Sequence, residues 1–260
     1  MIFYFSGTGN TRWAAKILST ATGEVLINMA EARQGDCAFT LSSNERIGFC
    51  FPVHGWRPPQ LVRSFIRRLS IKDAKGHYCF ALCTAGDNIG ETFDIFEHDL
   101  ENVGLHLDSR CSLIMPESYV GLPFMDVDPP EKEQAKKHSA QEQLEQYAQH
   151  VVECKLTNGP IVRGHWPRIN SRIIGGYFVN HLITDKPFYV DEERCIKCGK
   201  CATVCPVENI DGGTGKCPSW RHNGECLTCF ACYHHCPKHA IAFGKRTKGK
   251  GQYYYKAYNQ

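Results

Sequence analysis

The chain has 260 residues, 42% of them hydrophobic, and 30 Lys/Arg against 27 Asp/Glu give it a formal net charge of +3. That balance excludes a disordered chain, a collagen-like repeat and a nucleic-acid-binding polyelectrolyte, and the length leaves room for two domains that each bury a core. No apolar run reaches the length of a membrane-spanning helix, and Met1–Ser6 lacks the charged flank and cleavage region of a signal peptide. A cytoplasmic protein with no membrane partner is expected.

The first 156 residues alternate between strand and helix patterns. The apolar run Ile2–Phe5 ends in Ser6-Gly7-Thr8-Gly9-Asn10-Thr11, and helical spacing follows to Thr20. Further strands are expected at Val25–Ile27, Ile47–Phe51, Tyr78–Leu82 and Ser112–Met115, and helices at Pro59–Leu69, Gly90–Asn102 and Glu131–Cys154. Such alternation implies a parallel sheet covered on both faces, a doubly wound α/β domain over residues 1–168. The stretch Pro116–Pro130, rich in proline and aromatic residues, is too long for a plain connection and reads as an ordered functional loop. Thr157–Asn170 reads as linker. A short helix over Ser171–Thr184, interrupted at Gly175-Gly176, completes a connecting segment (169–184), and a second domain covers 185–260.

The loop Ser6–Thr11 joins a strand to a helix, so its backbone N–H groups and hydroxyls can converge on a phosphate at the helix N-terminus. A nucleotide-hydrolase loop needs Gly-Lys-Ser/Thr, which is absent. A dinucleotide fingerprint needs a third glycine where Arg12 stands and an acidic residue near Ile27-Asn28-Met29. A hydroxyl-rich loop without lysine suits a flavin monophosphate. No second nucleotide fingerprint follows Thr11, so nicotinamide is not expected to take part directly.

Of the 15 cysteines, nine fall between Cys195 and Cys236, and without a secretory signal they do not read as a disulfide framework. Cys195-x2-Cys198-x2-Cys201-x3-Cys205-Pro206 repeats as Cys226-x2-Cys229-x2-Cys232-x3-Cys236-Pro237. Three closely spaced thiolates wrap one [4Fe–4S] cubane while the fourth points to the other cluster. Two interleaved sets are therefore expected: Cys195, Cys198, Cys201 and Cys236, then Cys226, Cys229, Cys232 and Cys205. A zinc ribbon uses two separated pairs, whereas a single tetrahedral ion cannot use the third and fourth thiols offered here. Cys217 lies outside both sets, and His222, His234, His235 and His239 read as solvated or as lying behind the ligands.

The glycine loop resembles that of flavodoxins, Ser/Thr-x-Thr-Gly-x-Thr, at Ser6, Thr8, Gly9 and Thr11. The resemblance implies that FMN is also held by the loops after the third and fourth strands, here Pro52-Val53-His54-Gly55-Trp56 and Thr84-Ala85-Gly86-Asp87. Trp56 would either stack on the ring or pack on Pro58 and Pro59, and the amides near Gly86 would meet the ring's pyrimidine edge. Over nearly its whole length the chain resembles fused flavodoxin and two-cluster ferredoxin proteins of anaerobic bacteria and archaea, including Met115–Tyr119 and the Trp220 before the second cysteine run. This implies a small α+β ferredoxin domain of the bacterial two-cluster type and an iron–sulfur flavoprotein moving electrons between two [4Fe–4S] clusters and FMN.

Residues 185–260 carry 12 Lys/Arg and 7 Asp/Glu, a formal +5 that two clusters bring close to neutral. The basic and aromatic stretch Lys245–Lys256 reads as a solvated tail or a strand returning over the cluster domain, with a basic edge steering an acidic redox partner; no nucleic acid is expected. Two functional classes follow. One is an oxidoreductase whose flavin acts on a small molecule under Pro116–Pro130. The other is an electron carrier serving a ferredoxin-like donor or acceptor enzyme, with no substrate of its own.

Overall fold

A computed structural model describes residues 1–256. Its first part runs β1 (Ile2–Tyr4), α1 (Asn10–Thr22), β2 (Leu26–Asn28), α2 (Met29–Ala32), β3 (Ala38–Thr40), β4 (Ile47–Pro52), α3 (Gln60–Arg68), β5 (Ser70–Lys72), β6 (Cys79–Ala85), α4 (Thr92–Glu101), β7 (Ser109–Ile114) and α5 (Pro130–Val152). Five strands form an all-parallel sheet in the order β2-β1-β4-β6-β7, so this part is α/β. Register pairs Phe3 with Phe49, Phe49 with Ala81 and Leu82 with Cys111.

The pleat sends successive residues to opposite faces, and each face has its own core. Phe3, Phe49 and Phe51 pack with Leu61 and Phe65 of α3 and with Phe96 of α4. Ile2, Phe80 and Leu82 pack on the other side with Ala14 and Leu18 of α1 and with Leu144 and Tyr147 of α5. Burying one such large side chain contributes about 1.5–3 kcal/mol. Because β4 and β6 are covered on both faces, their sequences are continuously apolar rather than alternating. β7 begins at Ser109, three residues before the expected strand. The buried Ser109 hydroxyl donates to Thr157 O at 2.6 Å, so a polar residue sits inside the sheet without an unpaired group. The β3–β5 parallel pair was not expected: both strands are three residues long and partly exposed.

Between the two parts lies a helical run: π-helical turns at Ile169–Ile174 and Phe178–Leu182 flank α6 (Gly175–Tyr177). Gly175-Gly176 does not interrupt it. Gly175 is buried where the helix crosses the 52–56 loop, and a Cβ there would collide with Gly55 O.

The second part contains β8 (Phe188–Val190), α7 (Lys200–Thr203), β9 (Ile210–Gly213), β10 (Lys216–Trp220), α8 (Ala231–His234) and β11 (Ile241–Phe243), with β8–β11 and β9–β10 antiparallel. The cysteine repeat is also a backbone repeat. Residues 31 apart, the offset from Cys195 to Cys226, share left-handed backbone: Lys197 and Thr228 (φ 54° and 48°), Gly199 and Phe230 (75° and 58°), Glu208 and His239 (52° and 51°). Non-glycine residues rarely adopt this region, so each cysteine loop is held against its own preference by the packing around it. The packing is a core of Phe188, Ile210, Trp220, Phe230, Tyr233, Ile241 and Phe243, which also takes in Val120 of the 116–130 loop.

The two parts are fused through apolar contact. Val207 and Leu227 belong to the core under α3 and α4, and Cys205 and Cys229 pack against it. The stretch Lys245–Lys256 is neither a solvated tail nor a returning strand. Gln252 Nε2 donates to Cys236 O, Tyr253 Oη to Asn10 Oδ1 at 2.6 Å and Tyr255 N to Thr8 O at 2.8 Å, while Tyr255 stacks on Trp13. It ties the cysteine domain to the glycine loop. Residues 257–260 of the expected second domain lie outside the described residues.

Candidate functional site

A cavity of about 440 Å³ opens at the C-terminal ends of β1, β4 and β6, where a doubly wound sheet places its ligand site. Fourteen of the fifteen residues expected there line it: Ser6, Gly7, Thr8, Asn10 and Thr11; Pro52, Val53, His54, Gly55 and Trp56; Thr84, Ala85, Gly86 and Asp87. Gly9 does not. It is the left-handed residue before α1 and backs onto Tyr255.

The loop end of α1 has no side-chain cap, and its first turn holds no acidic residue. Its unpaired N–H groups and dipole are therefore available to an anion on the cavity side. The loop is fixed from behind: Thr11 Oγ1 and Thr84 Oγ1 are 2.7 Å apart, and Asn10 Nδ2 donates to Pro116 O at 3.1 Å. A phosphate fits this donor set. Trp56 is held at φ 57° with its carbonyl accepting from Ser171 Oγ, which commits an aromatic side chain to the wall at some backbone strain. Asn88 also lines the wall, but its Oδ1 is buried against Gly164 with no hydrogen-bond partner among the described residues. Burial pushes the His54 imidazole down to about 4, so it faces the cavity neutral.

Of the three remaining walls, the one from the 116–130 loop is where a pocket-closing loop was expected, and the other two were not expected. Pro116–Tyr119, Leu122, Phe124 and Met125 form one, Ile174, Tyr177, Phe178 and Leu182 of the helical run a second, and Leu227–Cys229 a third. Ile174, Phe178 and Leu182 recur every four residues, a signal present in the sequence but lost in reading the segment as a connector. Glu117 is enclosed at this wall over Gly86. Its Oε1 accepts from Ser118 N at 2.9 Å and Tyr119 N at 2.8 Å. Burial raises its pKa above the ordinary carboxyl value of 4.5 despite those two bonds and the nearby Lys136 ammonium. The folded state thus holds the Glu117 proton more tightly than the unfolded state. Its contribution is fully present below pH 4.5 and is lost as pH rises through the raised value. Glu117→Gln, which keeps the acceptor, is expected to remove this decline and to leave the protein more stable than wild type at neutral pH, measured by thermal unfolding between pH 4.5 and 8.

The eight expected metal-ligating cysteines gather as two sets. Cys195, Cys198, Cys201 and Cys236 surround one small cavity, and Cys205, Cys226, Cys229 and Cys232 another. Among the described residues no three His, Cys, Asp or Glu side chains close on a single metal-ion position. The thiols instead ring a void, the arrangement a multi-iron cluster needs. Burial pushes Cys201 and Cys226 up to about 11 and Cys229 up to about 12, and members of the same set add to each shift. Cysteine ligands must lose their protons to bind, so iron uptake releases protons and is favoured by rising pH. Asn209 N donates to Cys205 Sγ at 3.3 Å and Ala240 N to Cys236 Sγ at 3.2 Å, the same i+4 contact in both runs and one that tunes a cluster's potential.

Cys217 lines neither cavity, and its thiol sits beside that of Cys195. His222 pairs with Asp185 at 2.9 Å. His234 is buried rather than solvated: its Nδ1 accepts from Tyr253 N and its Nε2 is 2.6 Å from Ser118 O, bridging the cysteine domain to the cavity loop.

Gly7 joins the two regions. A Cβ there would stand 3.0 Å from Cys229 Cβ and 3.5 Å from Cys229 Sγ, so glycine lets the loop lie on the second thiol set without displacing it. Cys229 lines both the large cavity and the second thiol cavity.

Comparison with known proteins bears on the cysteine region. Residues 188–211 match the 4Fe–4S binding domain family. A ferredoxin of Thermoanaerobacterium thermosaccharolyticum is 53% identical over 36 residues, 14% of this chain and 51% of that ferredoxin. The match thus spans about half the length of this curated relative. No solved structure matches. The chain therefore carries a ferredoxin-type 4Fe–4S domain, whose chemistry is electron transfer. No helix among the described residues is long and apolar enough to cross a membrane.

Proposed function

We propose that the chain is an iron–sulfur flavoprotein in which a flavodoxin-like domain holding FMN is fused to a ferredoxin domain holding two [4Fe–4S] clusters, and that it is an oxidoreductase of anaerobic metabolism. The observation that carries the reading is the shared wall: one cavity takes in the glycine loop, both strand-end loops and Cys229 of the second thiol set. The strand order β2-β1-β4-β6-β7 is the flavodoxin-type order, with the glycine loop at its switch point.

FMN would be held at its phosphate by Ser6–Thr11 and at its ring by Pro52–Trp56 and Thr84–Asp87. The first cluster would be held by Cys195, Cys198, Cys201 and Cys236, and the second by Cys205, Cys226, Cys229 and Cys232. Bound there, the clusters supply single-electron transfer and FMN exchanges one-electron for two-electron chemistry. The chain's own residues set the conditions. Trp56, Tyr119, Phe178 and Leu182 give the cavity apolar walls, His54 stays neutral, and burial raises the pKa of the Glu117 carboxyl over Gly86. The apolar wall from Leu122, Phe124, Met125 and Tyr177 extends past the loops that would hold the flavin, which favours a small-molecule substrate over a carrier without one.

The test is anaerobic reconstitution, release of flavin by denaturation and chromatography. FMN at about one per chain is expected; FAD, or no flavin, overturns the reading. Thr8→Glu is expected to weaken flavin binding at least tenfold, about 1.4 kcal/mol or more, through repulsion of the phosphate, with iron content unchanged.

A further inference from the structure

The two thiol sets face different surroundings. The second lies among Phe188, Trp220, Leu227 and Phe230 and shares Cys229 with the large cavity, so it faces inward. The first faces solvent: Cys198 is exposed, and Ile196, between the first two thiols, is 56% exposed. Four lysines line its cavity, Lys197 and Lys200 from the first cysteine run, Lys216 from β10 and Lys238 after the second run. All four are exposed, and none has an ion-pair partner among the described residues. Two features of sequence converge on this rim, because the backbone repeat brings Lys238 of the second run beside Lys197 and Lys200 of the first.

We propose that this face docks an acidic electron-carrier protein, with the lysine rim supplying orientation and the exposed Ile196 the apolar centre. This rests on the electron-transfer reading and adds to it which thiol set meets the partner. A ring of one sign around a small apolar patch raises encounter rates and fixes orientation without a large buried area, as suits a transient redox contact. The countercharges nearby do not cancel it. Asp191 pairs with Arg194 at 3.2 Å, and Glu192 and Glu193 are exposed upstream and do not line the cavity. The basic stretch at Lys245–Lys250 is a poorer candidate, since Lys250 Nζ is turned inward to the carbonyls of Val120, Leu122 and Met125.

The probe is an oxidised acidic ferredoxin, added to the anaerobically reconstituted full chain. Calorimetry at several salt concentrations gives the affinity, and carbodiimide coupling of the probe's carboxylates to lysines, read by mass spectrometry, gives the place. Cross-links are expected at Lys197, Lys200, Lys216 and Lys238, with binding that weakens as salt rises. The pair Lys197→Glu/Lys216→Glu should weaken binding at least tenfold at low salt and flatten its salt dependence. The control pair Lys245→Glu/Lys248→Glu carries the same charge change and should shift it less than twofold. Iron content verifies that each variant keeps its clusters, and Lys216→Gln/Lys238→Gln gives a milder version of the loss should the reversed pair not fold. Binding within twofold of wild type in the rim variants, or cross-links gathered at Lys245 and Lys248, overturns the proposal. Neither readout involves flavin, so absence of FMN would defeat the functional reading and leave the docking face standing.

Discussion

Cys205→Ala is expected to empty the second thiol set and spare the first, and Cys236→Ala to do the reverse, each taking the chain from about eight iron atoms to about four. The reason is that each fourth ligand crosses to the other run: Cys205 lines the cavity of Cys226, Cys229 and Cys232, and Cys236 that of Cys195, Cys198 and Cys201. Cluster-resolved spectroscopy with iron analysis distinguishes the two variants. Cys217→Ala is the control, because its thiol lies beside Cys195 but outside both cavities. Equal iron loss in Cys217→Ala and Cys205→Ala would contradict the assignment. Both ligand variants should also lower the stability of the second part, whose left-handed loops are held by packing and would be held further by iron.

The second large effect is expected at Gly7. Valine there drives its methyl groups into Cys229, which is partly buried and packed against the core under α3 and α4. Overpacking of this kind costs about 1–3 kcal/mol. For a protein of this size that lowers the melting temperature by about 2–4 °C per kcal/mol. Gly7→Ala should cost less, since its single carbon needs a shift of only a few tenths of an ångström. The displaced Cys229 should lower iron occupancy of the second set more than the first. Two variants of similar stability and unchanged iron would mean that loop and thiol set are not in contact.

Much of this arrangement was legible in the sequence, for identifiable physical reasons. Fully buried parallel strands leave continuous apolar runs, and Ile47–Phe51 and Tyr78–Leu82 showed them. The cysteine spacing marked both thiol sets because metal-binding loops fix residue spacing more tightly than packing does. What escaped was long-range or polar. Ser109 hid the start of β7, since a serine bonded to Thr157 looks like a loop residue until its partner is known. The third wall of the cavity, Leu227–Cys229, belongs to a motif already accounted for, and nothing local reveals that it leans on Gly7. The fate of Lys245–Lys256 turned on tyrosines that find their partners near residue 10.

That last contact has a consequence for synthesis. Tyr253 and Asn10 are 243 residues apart in sequence, so this part of the glycine loop's backing cannot form until almost the whole described chain has left the ribosome. All five strands of the sheet lie before residue 115 and can begin to pair during translation, as domains commonly do, whereas the face covered by α5 closes only after residue 152. A nascent chain therefore carries paired strands and a glycine loop that lacks its last support, and premature termination anywhere before Tyr253 leaves that loop held by Thr84 and Pro116 without the Tyr253 contact.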